Sequence, residues 1–137
     1  MNIEKLRTNK IDNVLADFIA CAGVQDLVDN ATFNRGDFFE MAITHEPVKR
    51  NGLHEVSKGD FVMNNGLIVE IKYLTKKTGA SKDMKGTIAT HYLIGFNTGK
   101  EIELRLIEKS ELVTIQDGKR QKITYQNNIN KGLRITL

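Results

Sequence analysis

The order of apolar and polar residues along the chain predicts helices in its first third. Between Ile3 and Ala22, apolar residues recur mostly three or four positions apart, as on one face of an α-helix, and Gly23 is a natural stop. A short helix over Gln25–Ala31 can follow, and Asp37 can cap another helix that runs to about His45. The pattern therefore predicts a group of N-terminal helices.

Runs rich in β-branched and aromatic residues predict a sheet after the helices. Phe61–Met63 and Leu67–Leu74 flank Asn64-Asn65-Gly66, a combination typical of an antiparallel hairpin. A turn or a single helical turn is predicted at Lys109–Leu112, and a pliable loop at Thr78–Ser81. Four further strands are predicted at His91–Phe96, Glu101–Ile107, Gln121–Tyr125 and Leu133–Leu137. The fold class that follows is α/β, a mixed central β-sheet with the N-terminal helices packed on it.

Length and composition indicate an ordinary soluble protein. A chain of 137 residues that is 40% hydrophobic and 27% charged is expected to form one domain over 1–137. Cys21 has apolar neighbours and is predicted to be a core residue; as the single cysteine it excludes an intrachain disulfide and favours a reducing compartment. The N-terminus lacks the apolar stretch of a signal peptide and no run has membrane-spanning length, so we expect a cytoplasmic protein.

The net charge of +3 is distributed unevenly. Residues 1–46 carry four basic and eight acidic side chains, residues 47–100 nine and four, and residues 101–137 seven and five. The positive middle of the chain suits a phosphate backbone. Gly118–Lys122 is a second basic segment, either a further phosphate contact or a surface hairpin tip. The four lysines behind the hairpin that are predicted to contact nucleic-acid phosphates are Lys76, Lys77, Lys82 and Lys85.

Three charged side chains stand out in the predicted hairpin, because little else in it is charged. Glu70 and Lys72 are two residues apart in one strand, so both project from one face, while Val69 and Ile71 point to the other. Asp60 is predicted to lie on the partner strand, across the turn, with nine residues between it and Glu70, so that the two carboxylates can share a metal ion. Carboxylates bind hard divalent cations, and a lysine beside such a metal can hold a phosphate or the attacking water. These residues predict metal-dependent phosphodiester cleavage.

Asp60 and the triplet Glu70-Ile71-Lys72 resemble the signature of the PD-(D/E)xK nuclease superfamily, an acidic residue followed after a spacer by Glu/Asp-x-Lys on the next strand. Gly59 stands where the proline of that signature usually lies. Many members also carry a glutamate on the helix before the hairpin, and Glu40 is the matching residue here. The resemblance covers about residues 35–96 and implies a restriction endonuclease-like core.

That resemblance implies an Mg²⁺- or Mn²⁺-dependent DNA endonuclease. Asp60, Glu70 and the Ile71 carbonyl would bind the metal, Lys72 would orient or activate water, and Glu40 would assist. Small members include restriction endonucleases and junction-resolving enzymes, and the sequence does not separate the two. Both kinds commonly act as homodimers, because cutting two strands takes two active sites.

Other interpretations of the same residues stay open. A Glu/Lys pair on an exposed strand is usually a solvated ion pair with a structural role only. A catalytically silent relative would bind DNA without a metal, and a small protein-interaction module would explain the acidic first third. His45, His54 and His91 lack the spacing of a zinc site, and P-loop, Gly-x-Ser-x-Gly and dinucleotide motifs are missing from the sequence.

Overall fold

The computed structural model describes residues 11–27, 34–47, 61–77, 79–82 and 88–136, which form an α/β fold, as predicted. The helices in these ranges are α1 (Asn13–Ala22), α2 (Arg35–Thr44) and α3 (Tyr125–Asn128), with a 3-10 helix at Gln25–Leu27. None of them is long and apolar enough to cross a membrane. The strands in the same ranges are β1 (Phe61–Val62), β2 (Ile68–Thr75), β3 (Ala80–Lys82), β4 (His91–Asn97), β5 (Ile102–Glu108), β6 (Thr114–Asp117), β7 (Arg120–Ile123) and β8 (Leu133–Ile135).

Side-chain caps set where the two longer helices begin. The Asp12 carboxylate accepts a hydrogen bond of 2.7 Å from the Leu15 N–H at the start of α1. At α2, Asn34 accepts from the Asp37 N–H while the Asp37 carboxylate accepts from the Asn34 N–H, which is a reciprocal capping box. The cap of α2 is therefore Asn34, and the prediction of Asp37 in that position is wrong. α1 ends as predicted, at Gly23, whose φ of 73° is left-handed.

The first predicted helix is shorter than its apolar pattern indicates. Asp12 has extended backbone with a ψ of 164°, so no helix passes through it, and the helix predicted over Ile3–Ala22 begins only at Asn13 in the described residues. The periodic apolar pattern does not reveal that the helix starts at Asn13. An aspartate is equally compatible with the surface of a continuing helix and with a capping position. Residues 3–10 lie outside the described ranges, as do residues 28–31 of the second predicted helix, whose described part is one 3-10 turn.

Five strands form a mixed sheet in the order β1-β2-β4-β5-β8. β1 and β2 pair antiparallel with Phe61 opposite Val69, and the turn between them closes through Gly66, which confirms the predicted hairpin. β2 and β4 run parallel with Glu70 opposite Tyr92, whereas β5 pairs antiparallel with both β4 and β8. The predicted mixed sheet is therefore present.

The sequence pattern does not predict a second sheet, in which β3, β7 and β6 pair antiparallel in that order. β3 lies where a pliable loop is predicted over Thr78–Ser81, and Ala80 pairs with Ile123 of β7. The strand predicted at Gln121–Tyr125 ends at Ile123, and Tyr125 begins α3 instead. Strands of three or four residues carry too little alternation to be distinguished from loops.

The two faces of the five-stranded sheet carry separate apolar cores. On the helix face, Val69 and Ile71 of β2 pack in one cluster with the buried side chains of α1 and α2. On the second face, Leu74 of β2 and Tyr92 of β4 pack with Ile123 of the small sheet. β2 is thus covered on both sides, and its residues other than Glu70, Lys72 and Thr75 are hydrophobic.

Cys21 is exposed, so its predicted place in the core is wrong. The buried residues of α1 are Leu15, Ala16 and Ile19. Cys21 follows Ile19 by two positions, a rotation of about 200° around the helix, and therefore projects away from the sheet. Apolar neighbours in the sequence do not fix the direction of a helical side chain.

Candidate active site

β2 carries Glu70 and Lys72 on the second face of the sheet. Successive side chains of a strand point to opposite faces, and Val69 and Ile71, which alternate with these two, are buried in the helix-face core. Tyr73 lies on that same side, where its hydroxyl donates a hydrogen bond to Asp12. Glu70 and Lys72 therefore share the second face, as their spacing predicts.

Glu70 is the most deeply buried acidic residue in the described ranges, with 3% of its surface exposed. It lies opposite Tyr92 across the parallel pair of strands. Burial and then the charge of Glu70 raise the pKa of Tyr92 to about 12, in keeping with the paired positions of the two residues on neighbouring strands. Burial of a carboxylate is costly unless other groups compensate it. The alternative of a fully solvated ion pair therefore does not describe Glu70.

Lys72 belongs to a row of residues that crosses the sheet. It is half-buried and lies opposite Ile94 of β4, which in turn lies opposite Arg105 of β5. Since neighbouring strands are about 4.8 Å apart, the α-carbons of Lys72 and Arg105 are roughly 10 Å apart on one face. The Arg105 Nη2 forms an ion pair of 3.0 Å with Glu103 Oε1. The second face thus carries charges on two strands.

Arg105 is a candidate that the sequence analysis does not single out. Its Nε is buried and has no hydrogen-bond partner among the described residues, although the side chain as a whole keeps 18% exposure. The alternation of charged Glu103 and Arg105 with apolar Leu104 and Leu106 signals that both charges share a face. That this is also the face of Glu70 depends on β4 lying between the two strands, which no local pattern reveals.

Asp60 and Lys85 lie outside the described residues. Asp60 is covalently joined to Phe61, whose partner across the hairpin is Val69, the neighbour of Glu70. Among the described residues, no group of three His, Cys, Asp or Glu side chains is placed to hold a metal ion. The metal site stays a prediction that depends on Asp60.

Glu40 is half-buried near the middle of α2. That helix packs on the helix face, where the rings of Phe39 and Tyr73 have centroids 5.7 Å apart. Glu70 projects from the opposite face of the sheet, so a shared role of Glu40 and Glu70 stays a prediction. In the described residues, β1 pairs only with Ile68 and Val69 of β2. To come near Glu70, the Glu40 side chain would have to pass around this edge of the sheet.

The lysines predicted to contact nucleic acid lie on two different elements. Lys76 and Lys77 are exposed directly after β2, and the Lys77 N–H donates a hydrogen bond of 3.3 Å to Thr75 Oγ1. Lys82 ends β3, where it pairs with Gln121, so its backbone lies in a strand. The basic segment Gly118–Lys122 forms the turn of the β6–β7 hairpin and the first three residues of β7, in agreement with the surface hairpin tip.

A polar cluster on the helix face joins α1, β2 and β4. The Tyr73 hydroxyl donates a hydrogen bond of 2.6 Å to Asp12 Oδ2, and the Asn97 amide donates to Asp12 Oδ1 at 3.1 Å and to Tyr73 Oη at 2.8 Å. Burial and the hydrogen bond to Asp12 raise the pKa of Tyr73, which keeps it a neutral donor. Asp12 is 61 residues from Tyr73 and 85 from Asn97, so no local motif indicates the cluster.

No protein-family model matches this chain, and no curated protein is significantly similar to it in sequence. The likeness to PD-(D/E)xK nucleases therefore depends on Asp60, Glu70 and Lys72 themselves. Membership of that superfamily stays a prediction.

Proposed function

We propose that this protein is an Mg²⁺- or Mn²⁺-dependent DNA endonuclease that hydrolyses phosphodiester bonds. The observation that carries the proposal is the placement of Glu70, 3% exposed, beside Lys72 on one face of a strand whose other face is apolar core. Charged groups held in a sheet against their desolvation cost are frequently functional. Asp60, joined to the partner strand of the hairpin, would complete the set.

The proposed ligands fit a hard divalent cation. Glu70 and Asp60 offer carboxylate oxygens and Ile71 a backbone carbonyl, whereas softer metals prefer thiolate and imidazole ligands. A cation bound there would neutralise charge on the scissile phosphate and make a bound water more acidic. The low exposure of Glu70 strengthens its attraction for a cation, because little water screens its charge.

Lys72 is proposed to hold the reacting phosphate or orient the attacking water. Its side chain leaves the same face of β2 as Glu70, so a group held between them is within reach of both. Arg105 adds a cation two strands away, and a guanidinium donates well to phosphate oxygens. These residues make the second face suited to a phosphodiester rather than to an uncharged substrate.

The assembly and location of the protein belong to the same proposal. A homodimer follows from the need for two active sites to cut two strands, whether the substrate is a duplex or a four-way junction. A cytoplasmic location agrees with a single, exposed, unpaired cysteine, Cys21.

The proposal is tested with purified protein and three DNA substrates: a supercoiled plasmid, a short duplex and a four-way junction, each in Mg²⁺ or EDTA. Cleavage in Mg²⁺ that EDTA stops supports the proposal, and the preferred substrate separates restriction from junction resolution. Glu70→Gln should lose this cleavage, whereas Glu108→Gln, a matched change at an exposed carboxylate of β5, should keep it. DNA binding without cleavage would favour the catalytically silent relative, and the lack of both would contradict a role on DNA.

A further inference from the structure

A cleft of about 340 Å³ opens at the carboxyl ends of the parallel strands β2 and β4. Its walls come from the segments that follow these two strands and from the starts of α1 and α2. The carboxyl ends of parallel strands are where open α/β sheets bind ligands, because the chain there turns away and leaves space. The lining residues are Asp12, Arg35, Thr75, Lys76, Lys77, Asn97 and Gly99.

Three of the lining side chains are cations. Arg35 is the first residue of α2, and Lys76 and Lys77 follow β2; all three are exposed. They come from segments about 40 positions apart in the sequence, so the fold and not a local lysine run brings them together. Among the described residues that line the cleft, Asp12 is the one carboxylate. The charge that these residues give the cleft is therefore net positive.

Asp12 already accepts hydrogen bonds from other residues of the protein. Its Oδ1 accepts from the Leu15 N–H and from the Asn97 amide, and its Oδ2 accepts from the Tyr73 hydroxyl. Although burial and the Asp12 hydrogen bond raise the pKa of Tyr73, Arg35 acts in the opposite direction, which places the guanidinium near this cluster. Asp12 is thus the hydrogen-bonded acidic residue of the cleft, and Arg35, Lys76 and Lys77 are its exposed cationic lining.

Hydrogen bonds also hold the two turns that form the walls. The Lys77 N–H donates to Thr75 Oγ1 at 3.3 Å, and the Gly99 N–H donates to Asn97 Oδ1 at 2.8 Å. These bonds order the backbone on both sides of the cleft before a ligand arrives. A preformed wall lowers the entropy that binding would otherwise lose.

We infer that this cleft binds a phosphate group, held by Arg35, Lys76 and Lys77. Guanidinium and ammonium groups bind phosphate oxygens through charge-assisted hydrogen bonds, which are stronger than neutral ones. The cleft lies at the end of the helix face, whereas Glu70 and Lys72 project from the second face, so the inference goes beyond the proposed nuclease site. The phosphate belongs either to a nucleic-acid backbone that passes the end of the sheet or to a free phosphate compound.

The experiment measures binding in EDTA, where metal-dependent cleavage does not occur. Inorganic phosphate, pyrophosphate and a short DNA duplex are titrated at low salt into wild type, Arg35→Gln and the control Lys131→Gln, which removes one exposed positive charge outside the cleft. Arg35→Gln should weaken binding by about 10-fold or more, the effect of losing a hydrogen bond to a charged group. Lys131→Gln should bind like wild type.

The three probes separate the two sources of phosphate. Binding of inorganic phosphate or pyrophosphate that depends on Arg35 indicates a free phosphate compound, whereas an Arg35 effect with the duplex alone indicates the nucleic-acid backbone. In the second case the slope of log K against log[salt] should also flatten by about one unit for each lost contact. Equal affinities of Arg35→Gln and Lys131→Gln for all three probes would overturn the inference.

A folding control keeps the test decisive. The melting temperature without ligand shows whether Arg35→Gln folds, and Lys77→Gln, in the exposed turn after β2, replaces it if it does not. Because binding is measured without metal, a failure of the nuclease proposal at Glu70 leaves this result unchanged. The two proposals can therefore fail separately.

Discussion

The helix face and the second face of the five-stranded sheet bury polar groups in different ways. On the helix face, Asp12, Tyr73 and Asn97 satisfy one another through hydrogen bonds of 2.6 to 3.1 Å. On the second face, Glu70 is buried beside Lys72, and the Arg105 Nε has no hydrogen-bond partner in the described part of the chain. A hydrogen-bonded cluster that joins three elements positions them, whereas charged side chains gathered on a largely buried face are frequently functional. The comparison predicts that changes on the helix face affect stability and changes on the second face affect activity.

Glu70→Gln should have the largest effect. The amide keeps the shape of the carboxylate but removes its charge, so Mg²⁺-dependent cleavage should fall by at least about 10²- to 10³-fold while the protein stays folded. Plasmid cleavage and the melting temperature are measured together. Asp60→Asn should behave in the same way. Full cleavage by both variants would show that the second face is not the active site.

Lys72→Ala should have the second-largest effect on cleavage. Loss of a positioned acid/base or charge-stabilising group should lower turnover by roughly 10²-fold. Lys76→Ala and Lys77→Ala should mainly weaken DNA binding. Both lysines are exposed and lie after the end of β2, not on the strand that carries Glu70. Single-turnover kinetics at saturating DNA separate the two effects. If all three variants behave alike, Lys72 is only one more phosphate contact.

Gly95→Ala tests the helix face by packing alone. A β-carbon on this β4 residue would overlap the ring of Phe39, so the free energy of unfolding should fall by about 1–3 kcal/mol. Gly36→Ala, at the exposed start of α2, would meet Asn34 Oδ1, the cap acceptor of that helix, at 3.2 Å, and serves as a comparison with a much smaller expected change. Urea denaturation measures both. An unchanged unfolding free energy in Gly95→Ala would mean that α2 is not packed on β4 as described.

The ionisation of Tyr92 makes the stability of the second face depend on alkaline pH. A free tyrosine ionises near pH 10, and burial followed by the Glu70 charge raises the pKa of Tyr92 to about 12. The raised pKa means that its contribution to stability is complete below about pH 10 and is lost between about pH 10 and 12. In a Tyr73→Phe background, tyrosinate absorbance should show this late ionisation, and adding Glu70→Gln should move it towards pH 10. No movement would contradict the closeness of Glu70 and Tyr92.

Glu40→Gln should have the smallest effect. If the Glu40 carboxylate reaches the metal shell around the edge of β2, cleavage should require more Mg²⁺, with a change in metal affinity below about 10-fold. A titration of cleavage rate against Mg²⁺ measures this. An unaltered titration would assign Glu40 to the helical layer alone.

The local sequence pattern predicted those features that depend only on residues close together in the chain. The β1–β2 hairpin follows from a turn signal between two β-rich runs, and the shared face of Glu70 and Lys72 follows from alternation within one strand. The break before α1 at Asp12 and the exposure of Cys21 were not predictable in this way. Both depend on how the helix meets the sheet, which apolar spacing describes only in part.

The sequence by itself determined the α/β class, the hairpin and the set of charges that a nuclease site would need. The tertiary structure decided which distant residues meet: β4 lies between β2 and β5 and so sets Glu70 and Lys72 on one face with Arg105, while Asp12 meets Tyr73 and Asn97. It also decided that Glu70 is buried. The physical reason is that strand order and burial depend on contacts between residues far apart in the chain, whose packing must offset the entropy of closing long loops. The periodicity of a single helix or strand carries no information about the balance between long-range packing and loop-closure entropy.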